Sequence, residues 1–251
     1  MKAAGRQLRI RELLEAEEYV DMSVLREKLG ASESSIRRDL IALEGTGVLK
    51  RVFGGAMAID SRDPQLDFDW LSTRMAEEKR RIGQVAAKLI EDGQTVILDG
   101  GSTVAAVASS LRSHSLHVIT NSLPIAELFH DSRDIEVILT GGYLYPRLRA
   151  MLGPICEEML STVTADVLIM GIGGVTENGF SNSNTMVVGP ERKMIEAARR
   201  VILVADHTKF GRSALIHLAP LDVADVVVSD SGLAEEHQAM LAKHGIEVLL
   251  A

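Results

Sequence analysis

Residues 24–56 read VLREKLGASESSIRRDLIALEGTGVLKRVFGGA, and this stretch decides how the front of the chain folds. Leu25 and Leu29, four apart, give a first short helix an apolar side, Gly30 supplies a place to end it, and Ser32 supplies a cap for the next. Ile36, Leu40 and Leu43 then recur at helical spacing, which turns one side of the second helix to a core and leaves Ser34, Arg37 and Arg38 on the other. Past Thr46-Gly47 the run 48–53 carries Lys50 and Arg51 and closes on Gly54-Gly55, the pattern of a strand pair or wing. Paired guanidinium groups near a helix N-terminus, beside the hydroxyls of Ser32, Ser34 and Ser35, suit a helix lying in a major groove against phosphates and base edges. Exposed arginine pairs are also common on helices that touch only water. The two-helix spacing and the basic wing favour the DNA-contacting reading, with Ser32, Ser34, Ser35, Arg37, Arg38, Lys50 and Arg51 as its candidates.

The segment SSIRRDLIALEGTGVLKRVFGGA, residues 34–56, also resembles the DNA-binding signature of the DeoR-type family of bacterial transcriptional regulators. The arginine pair, the Asp-Leu after it, the Leu-Glu, the glycine before the wing and the final Gly-Gly-Ala carry the likeness. It departs at Phe53, where the family often has histidine. The resemblance implies a winged helix-turn-helix head with double-stranded operator DNA as its partner.

Outward from this segment, residues 6–17 read as a helix with Leu8, Ile10, Leu13 and Leu14 along one stripe, and Ser23 reads as the cap of the helix after it. Residues 59–66, IDSRDPQL, are turn formers and charges and read as a connector. A charged amphipathic helix follows over 75–91, with Ile82, Val85, Ala86 and Leu89 on one side, and Trp70 just before it could dock the connector or a seam between subunits. The chain thus divides into a head (1–57), a linker (58–76) and a larger domain (77–251). Its 251 residues, 46% of them hydrophobic, suffice for two cores. Charge is unevenly spread: residues 1–55 hold ten basic against nine acidic side chains, net +1, and the rest holds 17 against 26, net −9. An acidic body repels DNA from everything but the head. One cysteine, Cys156, leaves no internal disulfide and no cysteine-based metal cluster. No signal peptide and no apolar run of membrane-spanning length is evident, so a cytoplasmic chain away from membranes is expected.

From Gly93 onward, short continuous apolar runs at 95–98, 116–120, 135–139, 167–170, 201–205, 226–229 and 246–250 alternate with helical stretches at 103–112, 123–129, 155–163, 191–200 and 234–244. Continuous runs mark strands covered on both faces, which predicts a Rossmann-like α/β domain with a mostly parallel sheet. Ligands gather at the C-terminal ends of such strands. There the chain has Asp99-Gly100-Gly101-Ser102-Thr103, Thr120-Asn121-Ser122, Gly141-Gly142, Gly171-Ile172-Gly173-Gly174 and Asp206-His207-Thr208-Lys209. Each alone is ordinary turn chemistry. Converging at strand ends, they form a site for an anion held by backbone amides, hydroxyls and lysine.

The same residues resemble the effector domain of DeoR-type regulators, similar in fold to ribose-5-phosphate isomerase. The likeness runs from about Glu78 to the C-terminus. It implies a phosphorylated sugar as effector, held by Asp99, Gly100, Gly101, Ser102, Thr103, Thr120, Asn121, Ser122, Gly171, Gly173, Asp206 and Lys209. The run PERKMIEAA, residues 190–198, resembles the family helix whose acid and lysine face the sugar, which adds Glu191 and Lys193. Arg147 and Arg149, within 143–151, are candidates for tuning specificity. Gly171-Ile172-Gly173-Gly174 stands where the isomerases carry an acidic loop, so the resemblance implies binding without turnover. An isomerase using Glu191 or Asp99 is the alternative. No metal spacing and no dinucleotide fingerprint is present, so neither metal nor cofactor is expected, and the histidines at 114, 117, 207, 217, 237 and 244 read as surface or core residues. A single head makes few base contacts, so the chain is expected to self-associate to a dimer or tetramer and to respond allosterically to its ligand.

Overall fold

A computed structural model describes residues 3–16, 19–45, 49–52, 54–58 and 67–251, and divides the chain into two compact units, Met1–Pro64 and Gln65–Ala251. Thr46-Gly47, Phe53, the connector expected over 59–66 and the Lys50 side chain lie outside the described residues. In the first unit, helices α1 (Ala3–Ala16), α2 (Met22–Leu29) and α3 (Glu33–Gly45) pack with strands β1 (Tyr19–Asp21), β2 (Leu49–Val52) and β3 (Gly55–Ala58). Ile10, Leu13, Leu25, Leu29, Ile36, Leu40, Leu43 and Leu49 form its core. The cap of α2 is Asp21, whose carboxylate accepts the N–H and hydroxyl of Ser23, so Ser23 is the capped partner rather than the cap expected from sequence. Gly30 ends α2 at φ 56°, a left-handed conformation that glycine adopts without strain. The wing gains a third strand, in the order β1-β3-β2, all antiparallel.

The second unit is built on seven parallel strands: β4 (Thr95–Leu98), β5 (Leu116–Thr120), β6 (Ile135–Leu139), β9 (Ala165–Gly171), β12 (Ala198–Val204), β14 (Val226–Ser229) and β15 (Glu247–Leu250). Their order is β15-β14-β12-β9-β4-β5-β6, with every pairing parallel. Successive residues feed opposite faces, Ile97 and Ile119 one core, Val96, Leu98 and Val118 the other, which is why these strands carry no polar alternation. Helices α5 (Ala76–Ala87), α6 (Ser102–Ser110) and α7 (Leu123–Phe129) cover one face; α8 (Pro154–Leu160), α9 (Thr185–Ala197) and α10 (Glu235–Lys243) cover the other.

Three features depart from the sequence reading. Residues 67–76, assigned to the linker, hold helix α4 (Phe68–Thr73), capped by Asp67 and burying Phe68 and Trp70 within the second unit. A hairpin of β7 (Tyr143–Tyr145) and β8 (Ala150–Leu152), and a small antiparallel sheet of β10 (Gly174–Thr176), β11 (Gly179–Asn182) and β13 (Ile216–Ala219), arise from segments whose apolar runs are absent or only two or three residues long. Helix α9 begins at Thr185, ahead of Gly189-Pro190, with the Asn184 side chain accepting the Met186 N–H at 2.8 Å.

Candidate functional site

In the first unit α3 carries the predicted contact residues on its outer side. Ser34, Arg37 and Arg38 are exposed while Ile36, Leu40 and Leu43 are buried behind them. The Ser32 hydroxyl lies 3.1 Å from that of Ser34 and 3.0 Å from that of Ser35. Arg37 pairs with Glu33 one turn earlier at 2.7 Å, a pair left in solvent and therefore weak. Arg38 Nε donates to the Ser34 carbonyl at 3.3 Å. Arg51 bonds the Glu44 carboxylate through both backbone and guanidinium, at 2.9 and 2.6 Å, which ties the wing to the end of α3. Behind the contact face, Arg6 of α1 reaches the buried Asp39 at 2.7 Å and holds α3 in place.

In the second unit the chain leaves β4 toward β5 on one side, with β9 on the other. The crevice at this reversal is where open parallel sheets bind ligands. A cavity of about 100 Å³ opens there. One end is cationic and rich in donors: the start of α6 presents backbone amides with no side-chain cap, preceded by Gly101 at φ 120°, and Ser102, Thr103 and Lys209 line it. Lys79, on α5, joins them. It is buried, its ammonium donates to the Leu71 carbonyl at 2.6 Å and to the Ser102 hydroxyl at 3.0 Å, and burial pulls its pKa down to about 8 against the opposing pull of Asp206.

The other end is rich in acceptors. Asp99 is buried, and loss of hydration raises its pKa to about 7 although the N–H groups of Gly100 and Gly171 favour its charged form. Glu191, equally buried, is raised well above the usual carboxylate range by burial and then by the charge of Asp99, with the Asn182 amide opposing. Its Oε2 and the Oδ1 of Asn121 are buried without a partner. A buried polar atom left unpaired costs on the order of 1–3 kcal/mol, so these atoms stand ready for partners that arrive with a ligand.

Of the sequence candidates, Asp99, Gly100, Gly101, Ser102, Thr103, Asn121, Gly171, Gly173, Glu191 and Lys209 line this cavity. Four lie behind or beside it. Thr120 donates to the Leu98 carbonyl at 2.6 Å and accepts the Ser122 N–H, so it shapes the Asn121 turn from below. Ser122 is buried beside Ala150. Asp206 caps the turn His207–Lys209 through Thr208. Lys193 points elsewhere and bonds Glu196 at 2.6 Å. Two residues on from Glu191 is about 200° around a helix, so one cavity cannot receive both. Sequence reasoning missed Lys79, Asn182 and Asn184. The signal for Lys79 was present: it shares the apolar side of α5 with Ile82, Gly83 and Ala86, an odd place for an unpaired charge. Among the described residues, no group of three or more His, Cys, Asp or Glu could hold a metal, and no helix is long and apolar enough to cross a membrane.

A winged helix-turn-helix with a basic outer face, followed in the same chain by an α/β unit with a polar cavity, is the make-up of a ligand-responsive transcriptional regulator. A family model described as the DeoR-like helix-turn-helix domain matches residues 6–62, and one described as the DeoR C terminal sensor domain matches residues 74–231. The chain belongs to the DeoR family of transcriptional regulators. It is 34% identical to the HTH-type transcriptional repressor GlcR of Bacillus subtilis, over 88% of this chain and 86% of that one. It is 33% identical to the glycerol-3-phosphate regulon repressor of Escherichia coli K12, over the whole of both. Among solved structures, ribose 5-phosphate isomerase A of Neisseria gonorrhoeae overlaps 56% of each chain at 16% identity and a TM-score of 0.41, too slight a likeness to argue from.

Proposed function

We propose that this regulator represses genes of carbohydrate metabolism and that a phosphorylated sugar, or sugar derivative, bound in the cavity between β4 and β9 relieves the repression. The observation that carries the reading is the polarity of the cavity. Open amides, Ser102 and Lys79 at one end suit a phosphate, and the unpartnered Asn121 Oδ1 and Glu191 Oε2 at the other suit sugar hydroxyls, which both donate and accept. The name of one repressor it resembles, that of a glycerol-3-phosphate regulon, points to a small phosphorylated polyol. The chain acts in the cytoplasm, where operator DNA lies, and as a dimer or larger assembly that sets two heads on a two-fold operator. Ligand and DNA affinities change by the same factor through linkage.

The test is a panel of phosphorylated sugars and their unphosphorylated parents, read by thermal shift and by fluorescence anisotropy of labelled operator DNA. One phosphorylated member should raise the melting temperature and change operator affinity, its parent should do neither, and a panel in which no phosphate ester binds refutes the reading. A second reading, sugar-phosphate isomerisation, is favoured by Asp99, whose carboxyl near neutrality is matched to proton transfer. Product formation on the same panel, abolished by Asp99→Asn, would establish it; we propose binding without turnover.

A further inference from the structure

Nine large apolar side chains among the described residues stand in solvent, and Ile41 is the one of them that belongs to the first unit. It is 52% exposed and lies well inside α3, two turns on from Ser34. At 100° per residue it projects about 20° from Ser34, with Arg37 about 40° to one side and Arg38 about 60° to the other. Ile36, Leu40 and Leu43, all buried, fill the far side of the helix. An isoleucine therefore occupies the centre of the face that carries the paired guanidinium groups. Both arginines reach back toward the start of the helix, to Glu33 and to the Ser34 carbonyl, and leave it uncovered.

Single exposed apolar side chains are ordinary on proteins. This one runs against the local preference. A mid-helix position in water favours alanine or a long polar side chain, and isoleucine is a weaker helix former, held to one rotamer by its branched Cβ. What the face meets accounts for it. In the major groove adenine, guanine and cytosine present donors and acceptors, whereas thymine adds a methyl group. Isoleucine neither donates nor accepts, so pressed on any other edge it would leave a polar atom dehydrated and unpaired. Against a thymine methyl it buries apolar surface on apolar surface, and its stiff side chain needs little ordering to do so. Along the helix axis Ile41 stands about 10 Å beyond Ser34, the length of roughly three base pairs, so it addresses a different pair from those under the start of α3.

We infer that Ile41 is a specificity-determining contact of α3, selecting a T·A pair in each operator half-site through the C5 methyl of the thymine. The inference rests on the reading of Ser34, Arg37 and Arg38 as the DNA-contacting face and assigns that face a base.

The test begins with an operator selected by the full chain from a library of randomised duplexes. Each fixed thymine of the selected site is then replaced, one at a time, by deoxyuridine, which removes the methyl and keeps every donor and acceptor. Affinity is read by fluorescence anisotropy at two salt concentrations. Wild type should lose about fourfold at one thymine per half-site, the affinity ratio that corresponds to one buried methyl. Ile41→Ala, with an unchanged circular dichroism spectrum, should bind thymine and uracil there alike. Arg37→Ala and Arg38→Ala should weaken binding to both duplexes and lower its salt dependence. Arginine variants that match wild type in affinity and salt dependence overturn the DNA face, and the inference with it. Arginine variants that weaken as expected leave the face standing; the methyl contact is then overturned by a selected site with no fixed thymine, by a wild type indifferent to uracil at every position, or by an Ile41→Ala protein that keeps the full preference for thymine.

Discussion

Replacing Lys79 with methionine should make the unliganded protein more stable and blind to its effector. The ammonium is charged at pH 7 although burial has drawn its pKa from 10.5 to about 8. That difference corresponds to about 3 kcal/mol of penalty on the charged form, at 1.36 kcal/mol per unit. Methionine fills similar volume without it, but leaves the Leu71 carbonyl and the Ser102 hydroxyl short of a donor, at roughly 1 kcal/mol each. The balance is a gain of about 1 kcal/mol, or 2–4 °C in the melting of a chain this size. The pH dependence has a definite sign. The unfolded chain holds this proton up to about 10.5 and the folded chain only to about 8, so wild-type stability rises with pH across that window and the Lys79→Met variant lacks the rise. A phosphate bound beside Lys79 needs the protonated form, so wild-type affinity should fall about tenfold per pH unit above 8. Urea denaturation at pH 7 and 9, with calorimetric titration of the effector, measures all three. A variant destabilised by more than about 2 kcal/mol that still responds to ligand would refute this account of the lysine.

Asp99→Asn should remove a second titration. The carboxyl folded at about 7 and normally at 3.8 contributes stability that is present below about 4 and lost as pH rises through 7; the variant should show a flatter stability profile over that range in the same denaturation series. Arg37→Ala and Arg38→Ala should each weaken operator binding and lower the salt slope by about one for every phosphate no longer neutralised, read by anisotropy between 50 and 200 mM salt, and should leave the melting temperature within about 1 °C because both side chains are exposed. An unchanged slope in both would remove them from the DNA face. Ile36→Ala, behind that face and fully buried, should cost 2–5 kcal/mol of head stability by urea denaturation, roughly the cost of emptying a core site.

How much was readable in advance varied with the kind of signal. β4, β5 and β14 were legible to the residue because each is a short apolar run with polar punctuation, and burial on both faces leaves no competing pattern; β6 and α7 were legible from their apolar runs alone. The arginine face of α3 was equally plain, since Ile36, Leu40 and Leu43 fix its opposite side. The small sheet of β10, β11 and β13 was not, because Gly174–Thr176 and Gly179–Asn182 are held by pairing across the chain rather than by an apolar run of their own. α4 was hidden behind the charged stretch before it, and its anchors Phe68 and Trp70 find their partners only in the folded unit. For the site, loops after strands announced the anion end. Lys79 and Asn182 went unnoticed because each comes from an element whose sequence reads as scaffold, and only the three-dimensional arrangement turns them inward.

The β7–β8 hairpin is a ribbon two strands wide with a different neighbour on each side. Ala150 and the Leu152 side chain wall the cavity; their register partners Tyr145 and Tyr143 stand on the adjacent strand, with Tyr143 in solvent. Its inner strand is laced to the Asn121 turn by the Met151 N–H at 2.7 Å, and its tip receives the Phe68 N–H at 2.8 Å and the Asp69 carboxylate at 2.8 Å from Arg149. Whatever a ligand does to Asn121 is therefore felt, within a few bonds, both by an exposed tyrosine and by the first helix after the connector. Evolution could retune the regulator's response at the outer strand, Tyr143–Tyr145, without altering one residue that lines the cavity.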